Sequence, residues 1–151
     1  MRVSTGFLHG YAVRDWDELV TYTVEAERMG LHSIWSPEGW GFDGLTPLAY
    51  IAAKTSTIKL GTGVVQLGTR TPTNLAMTAM SVNSMSGGRF LLGVGTSGPQ
   101  VIEGFHGVIF DHPVARTRET IEVLKKPKAA LKSKELGTLR AKLEQLLRNE
   151  R

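Results

Sequence analysis

The amino-acid sequence repeats one pattern four times: a short apolar run suited to a strand, followed by a segment with helical periodicity. The apolar runs begin near residues 3, 31, 58 and 90. Their spacing of roughly thirty residues is the length of one parallel βα unit. The repeat therefore predicts an α/β fold in which helices cover a parallel sheet.

The predicted strands cover residues 3–9, 31–36, 58–67 and 90–94. The predicted helices run from about Asp15 to Gly30, from a cap at Thr46 and Pro47, from Thr71 to Gly87, and over about 115–124. The first helix is predicted to bury one face, made of Leu19, Tyr22, Thr23, Ala26 and Met29. Eight such units make a (β/α)8 TIM barrel of about 250 residues, so residues 1–124 are predicted to form a parallel (βα)4 half of one.

Charge is spread unevenly along the chain. Residues 125–151 hold 9 Lys or Arg and 3 Asp or Glu, a net of +6, which leaves 9 basic and 11 acidic residues, a net of −2, in residues 1–124. A mildly acidic body argues against a nucleic-acid partner, and no apolar stretch is long enough to span a membrane. With no cysteine and no signal-peptide pattern, we expect a cytoplasmic protein without disulfides or a thiolate metal site.

Residues 125–151 are predicted to form a separate basic, amphipathic C-terminal helix. Leu136, Leu139, Leu143 and Leu146 recur at three- and four-residue spacing, although Gly137 weakens the pattern. Three interpretations are open: a surface helix over an edge or outer face of the sheet, a self-association helix, or a helix that binds nucleic acid or membrane.

Ligands of parallel α/β folds bind at the carboxyl ends of the strands, so a candidate site residue should directly follow a strand. Arg89 opens the fourth strand, and we expect it to hold the opposite end of the sheet or a helix end. The candidates that remain are His9, the loop 36–43, residues 64–66 and residues 96–98.

The third predicted strand carries two glycines, Gly61 and Gly63, in an otherwise apolar run. Glycine weakens a strand, so these positions are predicted to let another backbone or a flat ligand approach closely. We interpret Gly63, Val64 and Val65 as a cofactor platform.

The loop after the second strand mixes carboxylates, aromatic rings and glycines, which suits a pocket. Glu38 is a candidate catalytic residue that poises a proton or polarises a bound ring if desolvation favours its protonated form, and Trp40 is a candidate wall for a planar ligand. The alternatives are that Glu38 is a surface acid and Trp40 a packing residue.

Residues 93–98 formally match G-x-G-x-x-G after a strand. A Rossmann fold would carry this motif after its first strand and an acid at the end of the next, and this chain does neither. Two interpretations stay open. Either the backbone of this turn, with Thr96, Ser97 and Gly98, binds a phosphate or a ring carbonyl, or the segment is only a tight turn.

The four histidines, His9, His32, His106 and His112, lack the spacing of metal ligands, so we predict no metal site. Each is interpreted as structural, although His9, at the end of the first strand, can face the pocket. No nucleophilic triad or Walker loop is visible.

Four segments in order resemble one known family: 34–43 (IWSPEGWGFD), 60–72 (LGTGVVQLGTRTP), 86–100 and 101–107. Together they resemble the luciferase-like monooxygenase superfamily, and within it the actinobacterial branch that uses the deazaflavin coenzyme F420. The resemblance covers about residues 1–125.

The resemblance implies a (β/α)8 barrel that binds F420, or alternatively FMN, and passes hydride between the coenzyme and a small-molecule organic substrate. In such enzymes a bulge in the third strand, often with a non-prolyl cis peptide, supports the back of the isoalloxazine ring. It matches Gly63 and Val64 here. Glu38 falls where the family places an acidic or histidine residue beside the ring, and residues 96–98 where backbone and side chains meet the coenzyme. His9 is a weaker match to a catalytic position.

The chain departs from the family after residue 125. Family members run to roughly twice this length, because they carry the four further strands of the barrel. Residues 125–151 do not resemble the family's continuation, and we interpret them as a frameshifted, truncated or engineered end. A half-barrel has unpaired sheet edges, so we expect a homodimer that closes the barrel. The alternative function is a catalytically inactive half-barrel that self-associates or binds a partner through its C-terminal helix.

Overall fold

The computed structural model describes residues 2–6 and 15–126 of the 151-residue chain. The strands in this part are β1 (Ser4–Gly6), β2 (Ser33–Ser36), β3 (Lys59–Thr62), β4 (Val65–Gln66), β5 (Phe90–Leu91) and β6 (Val94–Gly95). The helices are α1 (Trp16–Arg28), α2 (Thr46–Ala52), α3 (Pro72–Met85), α4 (Pro99–Ile102) and α5 (Pro113–Lys125). None of these helices is both long and apolar enough to cross a membrane. The predicted C-terminal helix lies outside the described residues.

All strand pairs in the described residues are parallel. Four strands form one sheet in the order β1-β2-β3-β5, and β4 pairs with β6. The helices α1, α2 and α3 each lie between consecutive strands of the chain, as parallel crossovers require. The α/β fold predicted from the thirty-residue repeat is confirmed.

The two faces of the sheet differ in what covers them. Ile34, Leu60 and Phe90 stand in register on one face and pack with Leu48 and Ile51 of α2 in a buried core. A second core lies under α3 and contains Leu45, Val65, Leu67 and Leu75. The other face, which we call the open face, contributes no residue to either core. It carries Ser4, Gly6, Ser33, Trp35, Lys59, Gly61 and Leu91.

Helices α1 and α3 begin and end where their sequence signals predict. The carboxylate of Asp15 accepts the N–H of Asp17 at 2.8 Å, and the hydroxyl of Thr71 accepts the N–H of Asn74 at 3.3 Å. After α3 the chain turns through Gly87 and Gly88, whose φ angles of 62° and 83° favour glycine.

Two details of the predicted helices are wrong. The N-cap of α2 is Leu45 rather than Thr46, and the carboxylate of Asp43 accepts the N–H groups of Leu45 and Thr46 at 2.8 Å each. In α1, Tyr22 and Met29 do not belong to the buried face, since they are 54% and 87% exposed. The helix instead turns Leu19, Val20 and Thr23 toward the sheet.

The third predicted strand is not continuous. It is interrupted at Gly63 and Val64, which are joined by a cis peptide bond, and resumes as β4. The resemblance implied a bulge at this position, and the structure confirms it. Gly61 has a different task from the one predicted: a Cβ there would lie 2.3 Å from Cε3 of Trp35, so the flat group that it accommodates is an indole of the same chain.

Arg89 holds the amino-terminal end of the sheet, as its position predicts. Its guanidinium donates to the carbonyl oxygens of Ala52, Thr55 and Ile58 at 2.9–3.0 Å, and its Nε donates to Ser86. These carbonyls belong to the ends of α2 and α3 and to the start of β3. Arg89 is only 8% exposed, so it satisfies backbone groups that would otherwise lack partners.

Candidate functional site

The predicted site residues converge on the carboxyl-terminal edge of the sheet. Parallel strands bring the residues that follow them to the same edge. The residues in question follow three strands: Glu38 and Trp40 follow β2, Gly63 and Val64 follow β3, and residues 96–98 follow β6. His9 lies outside the described residues, so its place in the site stays a prediction.

Glu38 is bound on both carboxylate oxygens. Arg70 reaches it with two N–H groups, Nη1 to Oε2 at 2.7 Å and Nη2 to Oε1 at 2.6 Å. The backbone N–H groups of Gln66 and Gly44 donate to the same oxygens at 2.7 and 3.2 Å. Only 6% of the Glu38 side chain and 19% of the Arg70 side chain are exposed. The surface-acid interpretation of Glu38 is therefore wrong.

This arrangement defines what Glu38 can do chemically. A bidentate guanidinium and two backbone N–H groups together make four hydrogen bonds to the two carboxylate oxygens. They also occupy the directions from which a substrate proton would approach. The carboxylate therefore acts as a brace between the loop after β2 and the segment after β3, and a direct catalytic role stays a prediction that this geometry does not favour.

Arg70 lies at the candidate site although it is absent from the predicted set, and Gln66, one of the candidates in residues 64–66, lies beside it. Gln66 is 3% exposed, and its side-chain amide donates to the carbonyl oxygen of Glu38 at 3.2 Å. Its Oε1 is buried and has no hydrogen-bond partner in the part of the chain that the structure describes. A signal was available for Arg70, because it stands shortly after the third predicted strand, in the segment QLGTR.

Val64 forms an apolar projection at this edge. Its side chain is 41% exposed, and its Cγ2 would lie 2.8 Å from a Cβ at Gly95. Glycine at position 95 is thus required for Val64 to lie where it does. The neighbouring backbone is fixed by Thr62, whose hydroxyl donates to the carbonyl of Gly93 and accepts its N–H, both at 2.8 Å.

Val65, which was predicted to bind the cofactor, turns its side chain the other way. It is fully buried in the core under α3, and its N–H donates to the carbonyl of Gly93 at 2.9 Å. Its described contacts are therefore those of a core residue that anchors the backbone next to Val64.

Aromatic rings occupy the loop after β2 and the segment after α4. Trp40 is 49% exposed and meets Phe105 edge to face, with 5.3 Å between ring centroids. Phe105 in turn contacts the ring of His106 at 4.9 Å. The packing interpretation of Trp40 therefore agrees with its contact to Phe105, and its role as a wall for a planar ligand stays a prediction. In residues 2–6 and 15–126 no group of three His, Asp or Glu side chains forms a metal site.

The turn at residues 96–98 connects β6 to α4. Ser97 has a φ of 58°, and Gly98 is the residue before the first turn of α4. The hydroxyl of Thr96 donates to the carbonyl of Ser97 at 3.3 Å, a long hydrogen bond that a better acceptor can replace. The turn thus offers two hydroxyl groups at the same edge as Val64.

Asp43, at the end of the loop after β2, is a second carboxylate near Arg70. Partial burial works against its charged form, but hydrogen bonds from Thr46 and Leu45 and the charge of Arg70 hold the pKa of Asp43 below its usual range. Arg70 therefore faces two carboxylates, Glu38 and Asp43, both of which are already held by backbone N–H groups.

The residues present fit one side of a flat, partly polar ring such as that of F420 or FMN. Val64 supplies an exposed apolar contact, Gly63 adds no side chain, and Trp40 stands at the same edge. Hydroxyl groups at Thr96 and Ser97 can meet ring carbonyls or a phosphate. The described residues supply one wall of such a pocket, because they form half of a barrel.

Comparison with known proteins places the chain in a family. Residues 3–132 match the family model of luciferase-like monooxygenases, and the chain belongs to this family. A protein of Mycobacterium tuberculosis named as a coenzyme F420-dependent oxidoreductase is 48% identical over 100 residues, which cover 66% of this chain and 29% of that protein.

Two solved structures share the fold. The coenzyme F420-dependent tetrahydromethanopterin reductase of Methanopyrus kandleri superposes with a TM-score of 0.70 at 23% identity, over 82% of this chain and 39% of that one. The oxygenating constituent of 3,6-diketocamphane monooxygenase from Pseudomonas putida, solved with FMN, gives 0.71 at 19% identity, over 83% and 39%. The chain therefore spans less than half the length of the proteins that it matches, as a partial barrel does.

Proposed function

We propose that this chain holds the ring of coenzyme F420, or alternatively of FMN, against the Gly63–Val64 wall and serves hydride transfer between the coenzyme and a small organic substrate. The observation that carries the proposal is the position of Val64, an apolar side chain that is 41% exposed next to Gly63 at the carboxyl-terminal edge of a parallel sheet. Ligands of parallel α/β folds bind at this edge, so an apolar side chain that projects there suits the face of a bound ring.

The similar proteins support this choice of coenzyme class. The relative that is 48% identical is named for its use of F420, whereas the FMN-bound structure is 19% identical. We therefore favour F420 over FMN. The substrate class stays open beyond a small organic molecule.

The coenzyme ring would supply the hydride chemistry when bound. The chain's own residues bind the ring, shield it from water and orient it. Val64 excludes water from one side of the ring, and Trp40 shields its rim. The hydroxyls of Thr96 and Ser97 orient polar edges of the ring by hydrogen bonding. Glu38, held by Arg70, fixes the loop and the wall relative to each other.

An equilibrium titration with F420, and in parallel with FMN, followed by fluorescence, tests the proposal. We expect saturable binding by the full chain, and at least about tenfold weaker binding by Val64→Glu, because a carboxylate would be desolvated under the ring. Val114→Glu, at a position 63% exposed on α5, is the matched control and should bind as the unchanged chain does.

Two results would overturn the proposal. One is the absence of binding of either coenzyme at concentrations where the chain is folded, which would favour the inactive half-barrel. The other is equal binding by the Val64→Glu and Val114→Glu variants, which would show that the coenzyme lies elsewhere.

A further inference from the structure

The open face of the sheet is partly exposed in the described structure, although it contains large apolar side chains. Leu91 is 38% exposed, and Ser4 and Gly6 are exposed as well. Trp35 lies on the same face, over Gly61, with its Nε1 donating to the hydroxyl of Ser33 at 3.0 Å. All-parallel sheets are found with both faces covered. This face is therefore a surface that a partner would cover.

Both edges of the sheet are also open within residues 2–6 and 15–126. β1 pairs only with β2, and β5 pairs only with β3. The carbonyl of Val3 accepts the N–H of His32, so the backbone groups of the next residue, Ser4, face away from β2. At the other edge the carbonyl of Arg89 accepts the N–H of Leu60, so the backbone groups of Phe90 face away from β3.

We infer that the occupant of the open face is a second copy of this chain. Strands β1 and β5 run in the same direction. The free backbone groups of one can therefore pair, in parallel, with those of the other. A two-fold axis along the strands brings β5 of each copy beside β1 of the other. One operation then pairs both edges, covers both open faces and closes eight strands into a barrel.

The side chains of the open face suit the interior of a small barrel. Such interiors are filled by side chains in layers, with large and small residues alternating. Trp35 and Leu91 are the large residues here, and Gly6 and Gly61 leave room for them. Lys59 is the charged member of the face, and it lies at the amino-terminal end of β3, where its long stem can carry the ammonium group to solvent.

Sedimentation velocity of the full chain without coenzyme, over a range of concentrations, tests this inference independently of the proposed function. We expect a closed dimer at micromolar concentration. Leu91→Glu should weaken dimerisation at least about tenfold, because the charge would be buried without a partner. Met77→Glu, at a position 59% exposed on α3, is the matched control and should leave the dimer intact.

A second pair of variants tests the other edge of the sheet. Ser4→Pro removes the N–H that faces the partner, while Ser4→Ala keeps it and removes only the hydroxyl that meets Ser33 at 2.7 Å. We expect the proline variant, and not the alanine variant, to weaken the dimer. Circular dichroism of all four variants separates a loss of association from a loss of folding.

Three outcomes would overturn the inference. A monomer at all concentrations is the first. An open series of larger oligomers is the second, because two-fold closure stops at two copies. The third is a dimer that survives Leu91→Glu and Ser4→Pro but is lost on Leu139→Asp with Leu143→Asp, which would show that residues 125–151 carry the association.

Discussion

The carboxylate of Glu38 and the guanidinium of Arg70 form a two-point ion pair, with N···O distances of 2.7 and 2.6 Å, across 32 residues of sequence. The pair joins the loop that carries Trp40 to the segment that follows Val64. The loop and the Gly63–Val64 segment are thus held together by an ion pair between side chains that are mostly buried.

Removing one partner of this pair should destabilise the fold as well as the site. Glu38→Gln keeps the shape of the side chain but removes the carboxylate that is hydrogen-bonded to the mostly buried Arg70 guanidinium, and we expect a loss of about 2 to 4 kcal/mol in the free energy of unfolding. Urea denaturation measures it. Asp111→Asn, in the more exposed pair with Arg116, is the control and should cost less than about 1 kcal/mol.

The same variant separates bracing from direct catalysis. If Glu38 braces the wall, coenzyme affinity and stability should fall together in Glu38→Gln. Arg70→Lys should show a smaller loss of both, because lysine keeps the positive charge and lacks only the planar fork that binds the carboxylate at two points. A Glu38→Gln variant with full stability and full coenzyme affinity but no turnover would instead assign it a catalytic role.

Gly61 should not tolerate a side chain. A Cβ there would stand 2.3 Å from the indole of Trp35, closer than any van der Waals contact, so Gly61→Ala must displace the ring. We expect a loss of about 1 to 3 kcal/mol in stability and a changed tryptophan emission spectrum. Gly39→Ala, with nothing within 4 Å of the added carbon, should stay within about 0.5 kcal/mol. Equal stabilities of the two variants would contradict the packing described for Trp35.

Glu27 should make stability depend on acid pH. Desolvation works against its charged form, but the N–H groups of Ile58, Thr57 and Ser56 and the Thr57 hydroxyl outweigh it and lower the pKa of Glu27 from 4.5 to about 2. A depressed pKa in the folded state means that the stabilisation is complete above about pH 4.5 and is lost as the pH falls toward about 2.

The variant Glu27→Gln tests this dependence. Between pH 4.5 and about 2 the unchanged chain should lose more stability than the variant does, as measured by urea denaturation at several pH values. Glu25→Gln, at an exposed position on the same helix, should keep the pH dependence of the unchanged chain. Parallel stability curves for the unchanged chain and Glu27→Gln would contradict the prediction.

The repeating units were predictable because their signals are local. Asp15, Thr71 and Gly87 each mark a helix end through contacts within a few residues, so the pattern alone places α1 and α3. The candidate site was predicted at the carboxyl-terminal edge of the sheet because its residues follow strands. The same rule placed Arg89, which precedes a strand, at the opposite end, where the structure has it. The Gly63–Val64 break was anticipated from the family resemblance and not from the apolar run itself.

The remaining features depend on contacts that are distant in sequence. The guanidinium of Arg70 contacts Glu38 only because β2 and β3 are neighbouring strands and the chain turns after β4. From the sequence alone, Gly61 is interpreted as a position that a backbone or a flat ligand approaches. Only the register between β2 and β3 shows that Trp35 lies beside it. Thr46 is a residue type that suits a helix N-cap, but α2 has Leu45 at that position, and only the backbone geometry shows it.

If the Gly63–Val64 segment forms a wall of a coenzyme site, its backbone should sense the bound ring in an NMR titration of the full chain with F420. We expect the backbone amide signals of Val64, Gln66 and Ser97 to shift in a saturable manner, while those of α1 do not. Saturable shifts confined to other surfaces, or no shifts when the coenzyme is in excess, would contradict it.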